Sequence, residues 1–144
     1  MATRLILADD FAPWRQIIRS ILEPNPNLRI IAEASDGLEA IEKAATLRPD
    51  LVLLDIAMPL LNGVEAAKAI KQACPGAKII FLTQQNDDDV KNVALATGAE
   101  AYLLKSRAAR ELLPTIEAAL FTGSGAYALA SRPPDSPARS PEGF

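Results

Sequence analysis

The segment LVLLD at residues 51–55 consists of four consecutive aliphatic residues followed by an aspartate. A strand with one solvated face alternates apolar and polar residues, whereas a strand covered on both faces, as in a parallel sheet, is apolar throughout. The segment therefore predicts an internal strand of a parallel sheet. Asp55 would then lie just beyond the carboxyl end of that strand.

Four other short runs have the same aliphatic character, and they predict strands at residues 5–8, 28–34, 78–82 and 101–104. In the segments between these runs, apolar residues recur at the spacing of a helix. Two stripes predict the core-facing sides of the first and second helices: Trp14, Ile17, Ile18, Ile21 and Leu22, then Leu38, Ile41, Ala44, Ala45 and Leu47. Further helices are predicted after Gly63, after Asn86, and from about Arg107 to Leu120, where the missing N–H of Pro114 should remove a hydrogen bond and kink the helix.

Regular alternation of strands and helices predicts an α/β fold, a doubly wound parallel sheet with right-handed crossovers. Five strands, each followed by a helix, suit the flavodoxin-like (βα)5 arrangement with strand order 2-1-3-4-5. We expect this domain to occupy residues 1–121. Residues 122–144 are rich in Pro, Ser and Gly and lack apolar periodicity, which predicts a flexible tail.

Composition limits the classes of function. A net charge of −3 gives no electrostatic reason to expect binding to nucleic acid or to an anionic membrane. The single cysteine, Cys74, cannot form an internal disulfide, and a small apolar residue closing a helix is its expected role. Neither a signal peptide nor an apolar stretch of roughly 20 residues is visible, so we expect a cytoplasmic protein.

Polar residues collect where the predicted strands end. Asp9 and Asp10 follow the first strand, Asp55 the third, Thr83 the fourth and Lys105 the fifth. Ligands of open parallel sheets bind beyond the carboxyl ends of the strands, and the order 2-1-3-4-5 makes strands one and three neighbours. Three converging carboxylates favour a hard cation such as Mg²⁺, beside which an ionised Asp55 could attack a phosphoryl group.

Each of these residues has a simpler explanation when it is considered alone. Asp9 and Asp10 could cap the first helix, and Asp55 could be a turn residue that ends its strand. Thr83 is a β-branched residue suited to a strand, and an isolated Lys105 would be a solvated charge. Their joint occurrence at corresponding strand ends is what favours a site.

The segments 5–10, 51–63, 80–83 and 101–105 together resemble response-regulator receiver domains of two-component signalling, closest to LuxR/NarL-type receivers. The resemblance implies that Asp55 accepts a phosphoryl group from a sensor histidine kinase or a phosphotransfer protein. It implies that Mg²⁺ is bound by Asp10, by Asp55 and by the backbone carbonyl of Ala57, with Asp9 acting through water. Lys105 would contact the phosphate. Thr83 and Tyr102 would form the switch, the threonine hydroxyl moving toward the phosphate while the aromatic ring rotates inward. The implied output surface for a downstream effector protein is the face of the fourth helix, fifth strand and fifth helix.

Other positions bear on this resemblance. Gln84 stands where the family usually has a small residue, and Ala57 and Gln85 correspond to positions that tune dephosphorylation. Ser106 stands where many receivers have proline, so the cis peptide bond that is usual there is left open, and Ser106 could instead cap the fifth helix. Gly63 is expected to supply backbone freedom before the third helix.

We expect a stand-alone receiver that is not a turnover enzyme and has only self-phosphorylation and autodephosphorylation chemistry. The second interpretation is a receiver fragment of a longer LuxR-type DNA-binding transcription regulator. A phosphohydrolase with an Asp nucleophile is disfavoured, because Ala57 occupies the position where that chemistry usually needs a second carboxylate. A flavodoxin is disfavoured because no phosphate-binding loop rich in Ser, Thr and Gly follows the first strand.

Overall fold

A computed structural model describes residues 2–121 of the chain. The chain divides into two compact units, Met1–Leu112 and Leu113–Phe144. The first unit contains the whole sheet. In the second unit, residues 113–121 are helical, and the tail predicted for residues 122–144 lies outside the described residues.

Five parallel strands form one sheet in the order β2-β1-β3-β4-β5, which confirms the predicted order. The strands are β1 (Thr3–Ala8), β2 (Leu28–Ala34), β3 (Leu51–Leu54), β4 (Lys78–Thr83) and β5 (Ala101–Leu104). Every residue of β3 is buried, because this central strand is flanked by β1 and β4 and covered on both faces. Beside it, β1 is the strand from which the winding direction reverses, so the crevice between β1 and β3 is the expected ligand position.

Helices alternate with the strands, as predicted: α1 (Ala12–Leu22), α2 (Gly37–Leu47), α3 (Gly63–Ala73), α4 (Asp88–Leu95) and α5 (Ala108–Phe121). Three of them begin at side-chain caps. The backbone N–H of Glu39 donates to Asp36, that of Glu65 donates to Asn62, and Asp87 caps α4. These caps satisfy N–H groups that have no partner within the helix, which explains why the helices begin where they do.

The core side chains of the first two helices differ in part from the predicted stripes. Ile18 and Leu22 of α1 are buried, whereas Ile17 is 47% exposed. Leu38 is 52% exposed, and the buried residues of α2 are Gly37, Ala40 and Ala44. Small residues face inward because α2 packs closely against α3, leaving no room for a larger side chain.

The approach to α5 also differs from the prediction. Lys105–Arg107 form a 3₁₀ turn, and α5 begins at Ala108, so Ser106 lies inside that turn and does not cap the helix. The helix contains Pro114 and continues to Phe121, which agrees with the predicted end at about Leu120. Within residues 2–121 no peptide bond is cis, and no helix is both long and apolar enough to cross a bilayer.

Candidate functional site

Strand register brings the predicted site residues to one edge of the sheet. The backbone N–H of Asp55 donates to the carbonyl oxygen of the last residue of β1 at 3.0 Å. This bond continues the ladder between β1 and β3, so Asp9 and Asp55 follow neighbouring strands side by side. Thr83 pairs with the last residue of β5, and Lys105 comes directly after that pair.

Three carboxylates meet at this edge. One ligand oxygen from each of Asp9, Asp10 and Asp55 lies within 4.8 Å of the others. Asp9 and Asp55 are only 2% and 5% exposed, whereas Asp10 is exposed to solvent. Charged carboxylates are rarely buried without a partner, because transferring them out of water costs several kcal/mol.

Lys105 supplies the nearest positive charge. Its Nζ lies 2.6 Å from Asp9 Oδ2 and 3.2 Å from Asp55 Oδ2, and its side chain is 10% exposed. The ammonium contacts two of the three carboxylates, so the cluster keeps an excess of negative charge. Such an excess attracts a divalent cation.

The Asp55 carboxyl group is held in an environment that disfavours its charge. Burial raises the pKa of Asp55, and the charge of Asp9 raises it further, while Lys105 and the Thr83 hydroxyl act in the opposite direction. Asp55 Oδ1 accepts the backbone N–H of Ile56 at 2.7 Å. One carboxylate oxygen is therefore fixed by the backbone and the other faces Lys105.

The loop after β1 fixes Asp9 and Asp10. The backbone N–H of Phe11 donates to Asp9 Oδ1 at 2.9 Å, and the guanidinium of Arg15 donates to the carbonyl oxygen of Asp9. The N-cap position of α1 is occupied by Phe11, which makes no side-chain cap bond. The interpretation of Asp9 and Asp10 as helix caps is therefore wrong, and their side chains turn toward the acidic cluster.

Gly63 has a different role from the one that the sequence suggested. Its φ is not positive, so backbone freedom is not the reason for a glycine here. A Cβ at this position would lie 2.0 Å from the carbonyl oxygen of Asp55. The N–H of Gly63 also donates to the carbonyl of Ile56 at 2.7 Å. The start of α3 thus lies directly against the backbone of Asp55.

Thr83 and Tyr102 are connected through one residue, Gln85. The Thr83 hydroxyl oxygen accepts the backbone N–H of Gln85 at 3.3 Å, and the Tyr102 hydroxyl donates to the Gln85 carbonyl at 2.6 Å. Tyr102 is half-buried, and its ring centroid lies 6.4 Å from that of Phe81. Burial, followed by the charges of Asp87 and Asp55, raises the pKa of Tyr102, so its hydroxyl stays a donor at neutral pH.

Two open cavities lie beside the acidic cluster. Ala57 is exposed, and together with Gln85 it borders a cavity of about 490 Å³ between α3 and α4. Gln84 is exposed on the other side of Thr83 and borders a cavity of about 380 Å³ that also reaches Lys105. Both glutamines therefore flank the approach to the cluster.

Sequence reasoning missed two contacts. Lys105 Nζ lies 5.3 Å from the centroid of the Trp14 ring, a position for which core packing was the favoured interpretation. The backbone of Gln85 joins Thr83, through its N–H, to Tyr102, through its carbonyl. The contact between Trp14 and Lys105 could have been inferred from the sequence, because Trp14 lies in the first turn of α1, four residues after Asp10. The contact through Gln85 could not have been inferred, because it uses a backbone N–H and a backbone carbonyl, which nearly every residue has.

Comparison with known proteins gives one consistent family. The sequence model of the family named response regulator receiver domain matches residues 5–117. The transcriptional regulatory protein LiaR of Bacillus subtilis is 40% identical over 116 residues, which cover 81% of this chain and 55% of LiaR. The transcriptional regulatory protein DegU of Brevibacillus brevis is 33% identical over 124 residues, covering 86% of this chain and 52% of DegU.

Solved structures agree with this match. A LuxR-family response regulator from Aurantimonas sp. superposes with a TM-score of 0.80 at 32% identity, over 84% of this chain and 86% of that one. The response regulator domain of Thermotoga maritima CheB gives a TM-score of 0.78 at 31% identity, over 84% and 98% of the two chains.

The chain spans about half the length of the curated relatives it matches. The match itself runs across all five strands and carries the acidic residues, the threonine and the lysine at the strand ends. The chain therefore belongs to the response-regulator receiver domains of two-component signalling.

Proposed function

We propose that this chain is a phospho-accepting switch, in which Asp55 takes a phosphoryl group from the phosphohistidine of a sensor histidine kinase or a phosphotransfer protein. The observation that carries the proposal is the buried Asp55 carboxylate at the sheet edge, beside Asp9 and in contact with the Lys105 ammonium that bridges the two. A carboxylate used as a nucleophile needs an environment that orients it and neutralises the incoming charge.

The transfer exchanges one bond for another. A carboxylate oxygen of Asp55 attacks phosphorus, an O–P bond forms, and the N–P bond of phosphohistidine breaks with its electron pair remaining on the imidazole ring. The Ile56 N–H orients the carboxylate through Oδ1. The Lys105 ammonium, which lies 3.2 Å from Oδ2, and the Thr83 hydroxyl would hydrogen-bond the phosphoryl oxygens.

The donor set fits Mg²⁺. Three carboxylates with one facing ammonium leave negative charge to neutralise, and oxygen ligands are those that Mg²⁺ prefers. We propose that Asp10, Asp55 and the backbone carbonyl of Ala57 bind the ion directly, while Asp9 acts through water. The bound ion would neutralise charge that develops on the phosphoryl group.

Switching would pass through Gln85. The Thr83 hydroxyl accepts the Gln85 N–H and Tyr102 donates to the Gln85 carbonyl. A threonine drawn toward a phosphoryl group would therefore release the N–H of a residue whose carbonyl Tyr102 still holds. We propose that the resulting change is read by a downstream effector protein at the face of α4, β5 and the start of α5. Lys91, Tyr102 and Arg107 line a small cavity on that face.

The test is incubation with acetyl phosphate and Mg²⁺ followed by intact mass. We expect one added phosphoryl group in the wild-type protein and none in Asp55→Asn. Asp50→Asn is the matched control, because Asp50 precedes the same strand and lies exposed at its opposite end. Equal labelling of wild type and Asp55→Asn contradicts the proposal, and so does labelling without Mg²⁺ at the full rate.

A second candidate is the receiver of a longer LuxR-type transcription regulator. It is favoured by the curated relatives, which are about twice as long as the matched region and are transcriptional regulatory proteins. Sequencing the transcript beyond codon 144 separates the two candidates. A continuing frame that encodes a helix-turn-helix supports the regulator, and a stop codon supports the stand-alone receiver. In both cases we expect no retardation of DNA by this chain alone in a gel-shift assay.

We further propose that the chain does not turn over phosphate esters. The position two residues after Asp55 is Ala57, which cannot act as a general acid or base. Incubation with a generic phosphomonoester should release no phosphate above the rate seen with Asp55→Asn. Sustained Asp55-dependent turnover contradicts this proposal and favours a phosphohydrolase.

A further inference from the structure

We propose that Trp14 is a positioning residue for Lys105: its ring holds the Lys105 ammonium beside Asp55 and thereby sets the rate of phosphoryl acceptance. The contact joins the first turn of α1 to the end of β5, with Lys105 Nζ 5.3 Å from the ring centroid. That distance is within the range of a cation–π interaction. The inference rests on the phospho-acceptance proposed for Asp55.

Lys105 needs such a restraint because its side chain is long and has room to move. The ammonium is borne on a flexible four-carbon stem, which loses rotamer freedom when it is fixed. A cavity of about 380 Å³ lies beside it, bordered by Trp14, Gln84, Asn86 and Lys105 itself. Without a wall on this side, the ammonium could turn away from Asp55 into the cavity.

The other two contacts of the ammonium are with groups that the reaction alters. Nζ lies 2.6 Å from Asp9 and 3.2 Å from Asp55, and both carboxylates belong to the proposed metal and phosphoryl site. The aromatic ring carries no charge and takes no ligand during the transfer. Trp14 is therefore the contact that persists while the partners of Lys105 change.

Trp14 is itself fixed relative to the acidic loop. The first turn of α1 follows Phe11, whose N–H donates to Asp9, and the residue after Trp14 donates its guanidinium to the Asp9 carbonyl. The ring is thus anchored to the same loop that carries two of the carboxylates. Its position and theirs are set together.

The chemistry of the ring provides a conservative variant. Within residues 2–121, the buried indole Nε1 of Trp14 has no hydrogen-bond partner. Trp14→Phe therefore removes no hydrogen bond and keeps a π-face, although a weaker one. Trp14→Leu removes the π-face and keeps apolar bulk. Ile17→Ala serves as the matched control, because it removes exposed apolar surface from the same helix.

The first measurement uses no metal and no phosphoryl donor. Protons next to Nζ of Lys105 should show an upfield ring-current shift in the NMR spectrum, assigned with Lys105→Met. We expect this shift in the wild-type protein and in Ile17→Ala, a reduced shift in Trp14→Phe, and none in Trp14→Leu. Absence of the shift from the wild-type protein overturns the proposal, even if Trp14→Leu does not fold.

The second measurement is the rate of phosphorylation by acetyl phosphate at saturating Mg²⁺. A cation–π contact corresponds to a factor of about 2 to 30, so Trp14→Leu should be slower by that factor. Trp14→Phe should recover part of the loss. Folded Trp14→Leu that reacts at the wild-type rate overturns the proposal, as do equal losses in Trp14→Phe and Trp14→Leu. If neither the wild-type protein nor any variant is phosphorylated, the proposed function of Asp55 fails. The NMR measurement then still tests whether the Trp14 ring contacts the Lys105 ammonium.

Discussion

At the residue scale, the ionised form of Asp55 lowers the stability of the folded protein. Burial and the nearby Asp9 charge both raise the pKa of Asp55. A carboxyl group whose pKa is higher in the folded state binds its proton more tightly there than in the unfolded chain. The stability that protonation of Asp55 provides is fully present at pH values below 3.8, the ordinary pKa of an aspartate. It is lost as the pH rises through the higher pKa of the folded state. Ionised Asp55 therefore destabilises the metal-free protein at neutral pH.

We expect Asp55→Asn to be more stable than the wild-type protein at pH 7 in the presence of a chelator. The difference should shrink as the pH falls toward 3.8, because protonated aspartate is also neutral. Thermal unfolding across this pH range measures the effect. A wild-type protein that is the more stable of the two at pH 7 without metal contradicts the expectation.

Glu39 provides a control of opposite sign. Its hydrogen bonds, first with Lys43 and then with Ser35, lower the pKa of Glu39 to about 2. The stability that ionised Glu39 contributes to the folded state is present above pH 4.5, and it is lost as the pH falls toward 2. Glu39→Gln should therefore be less stable than the wild-type protein at pH 7, and this difference should also shrink in acid.

Gly63 brings the start of α3 against the backbone of Asp55. In Gly63→Ala the new Cβ would meet the Asp55 carbonyl oxygen at 2.0 Å, so the backbone has to shift. We expect a loss of about 1–3 kcal/mol in the free energy of unfolding, together with slower phosphorylation. Gly76→Ala is the control, because a Cβ there meets nothing within 4 Å. Urea unfolding of both variants measures the contrast, and similar losses would show that the contact with Asp55 is unimportant.

At the element scale, α5 contains a residue that a helix interior tolerates poorly. Pro114 lies seven positions into Ala108–Phe121 counting from its first residue, and it is exposed. Its ring removes the bond to the carbonyl four residues earlier and crowds that carbonyl. Pro114→Ala should raise the free energy of unfolding by up to about 3 kcal/mol.

Pro13 is the matched control for this substitution. It lies in the first turn of α1, where the missing N–H would have no partner within the helix. Pro13→Ala should change the free energy of unfolding by less than about 1 kcal/mol. Urea unfolding of the two variants compares them directly. Equal effects would mean that position within the helix does not determine the cost of proline here.

At the scale of the whole molecule, the proposed metal binding should be coupled to folding. The acidic cluster is assembled from β1 and β3, so the unfolded chain lacks it. A ligand at about 100 times its Kd stabilises the folded state by about 2.7 kcal/mol. Mg²⁺ should therefore raise the Tm, and a chelator should reverse the shift. Asp10→Asn should lose most of this effect, whereas Asp88→Asn, an exposed acidic residue on α4, should retain it. An equal shift in both variants would locate the metal elsewhere.

Much of the architecture could be predicted from sequence because it follows from local composition. The run 51–54 has no polar residue to place in water, and the structure buries every residue of β3. The parallel sheet places strand ends together, so Asp9, Asp55 and Lys105 could be assigned to one edge before any distance was known. The caps Asp36 and Asn62 are equally local, since a cap acts within its own helix.

The sequence by itself determined the order of strands and helices, the edge at which the acidic residues meet and the family of the chain. Only the tertiary structure decided which residues touch there. Ile17 and Leu38 belong to apolar stripes but are exposed, Gly63 lies against Asp55, and Trp14 faces Lys105. Composition and periodicity act over a few neighbouring residues, whereas these contacts depend on ångström-scale spacing between segments far apart in the chain.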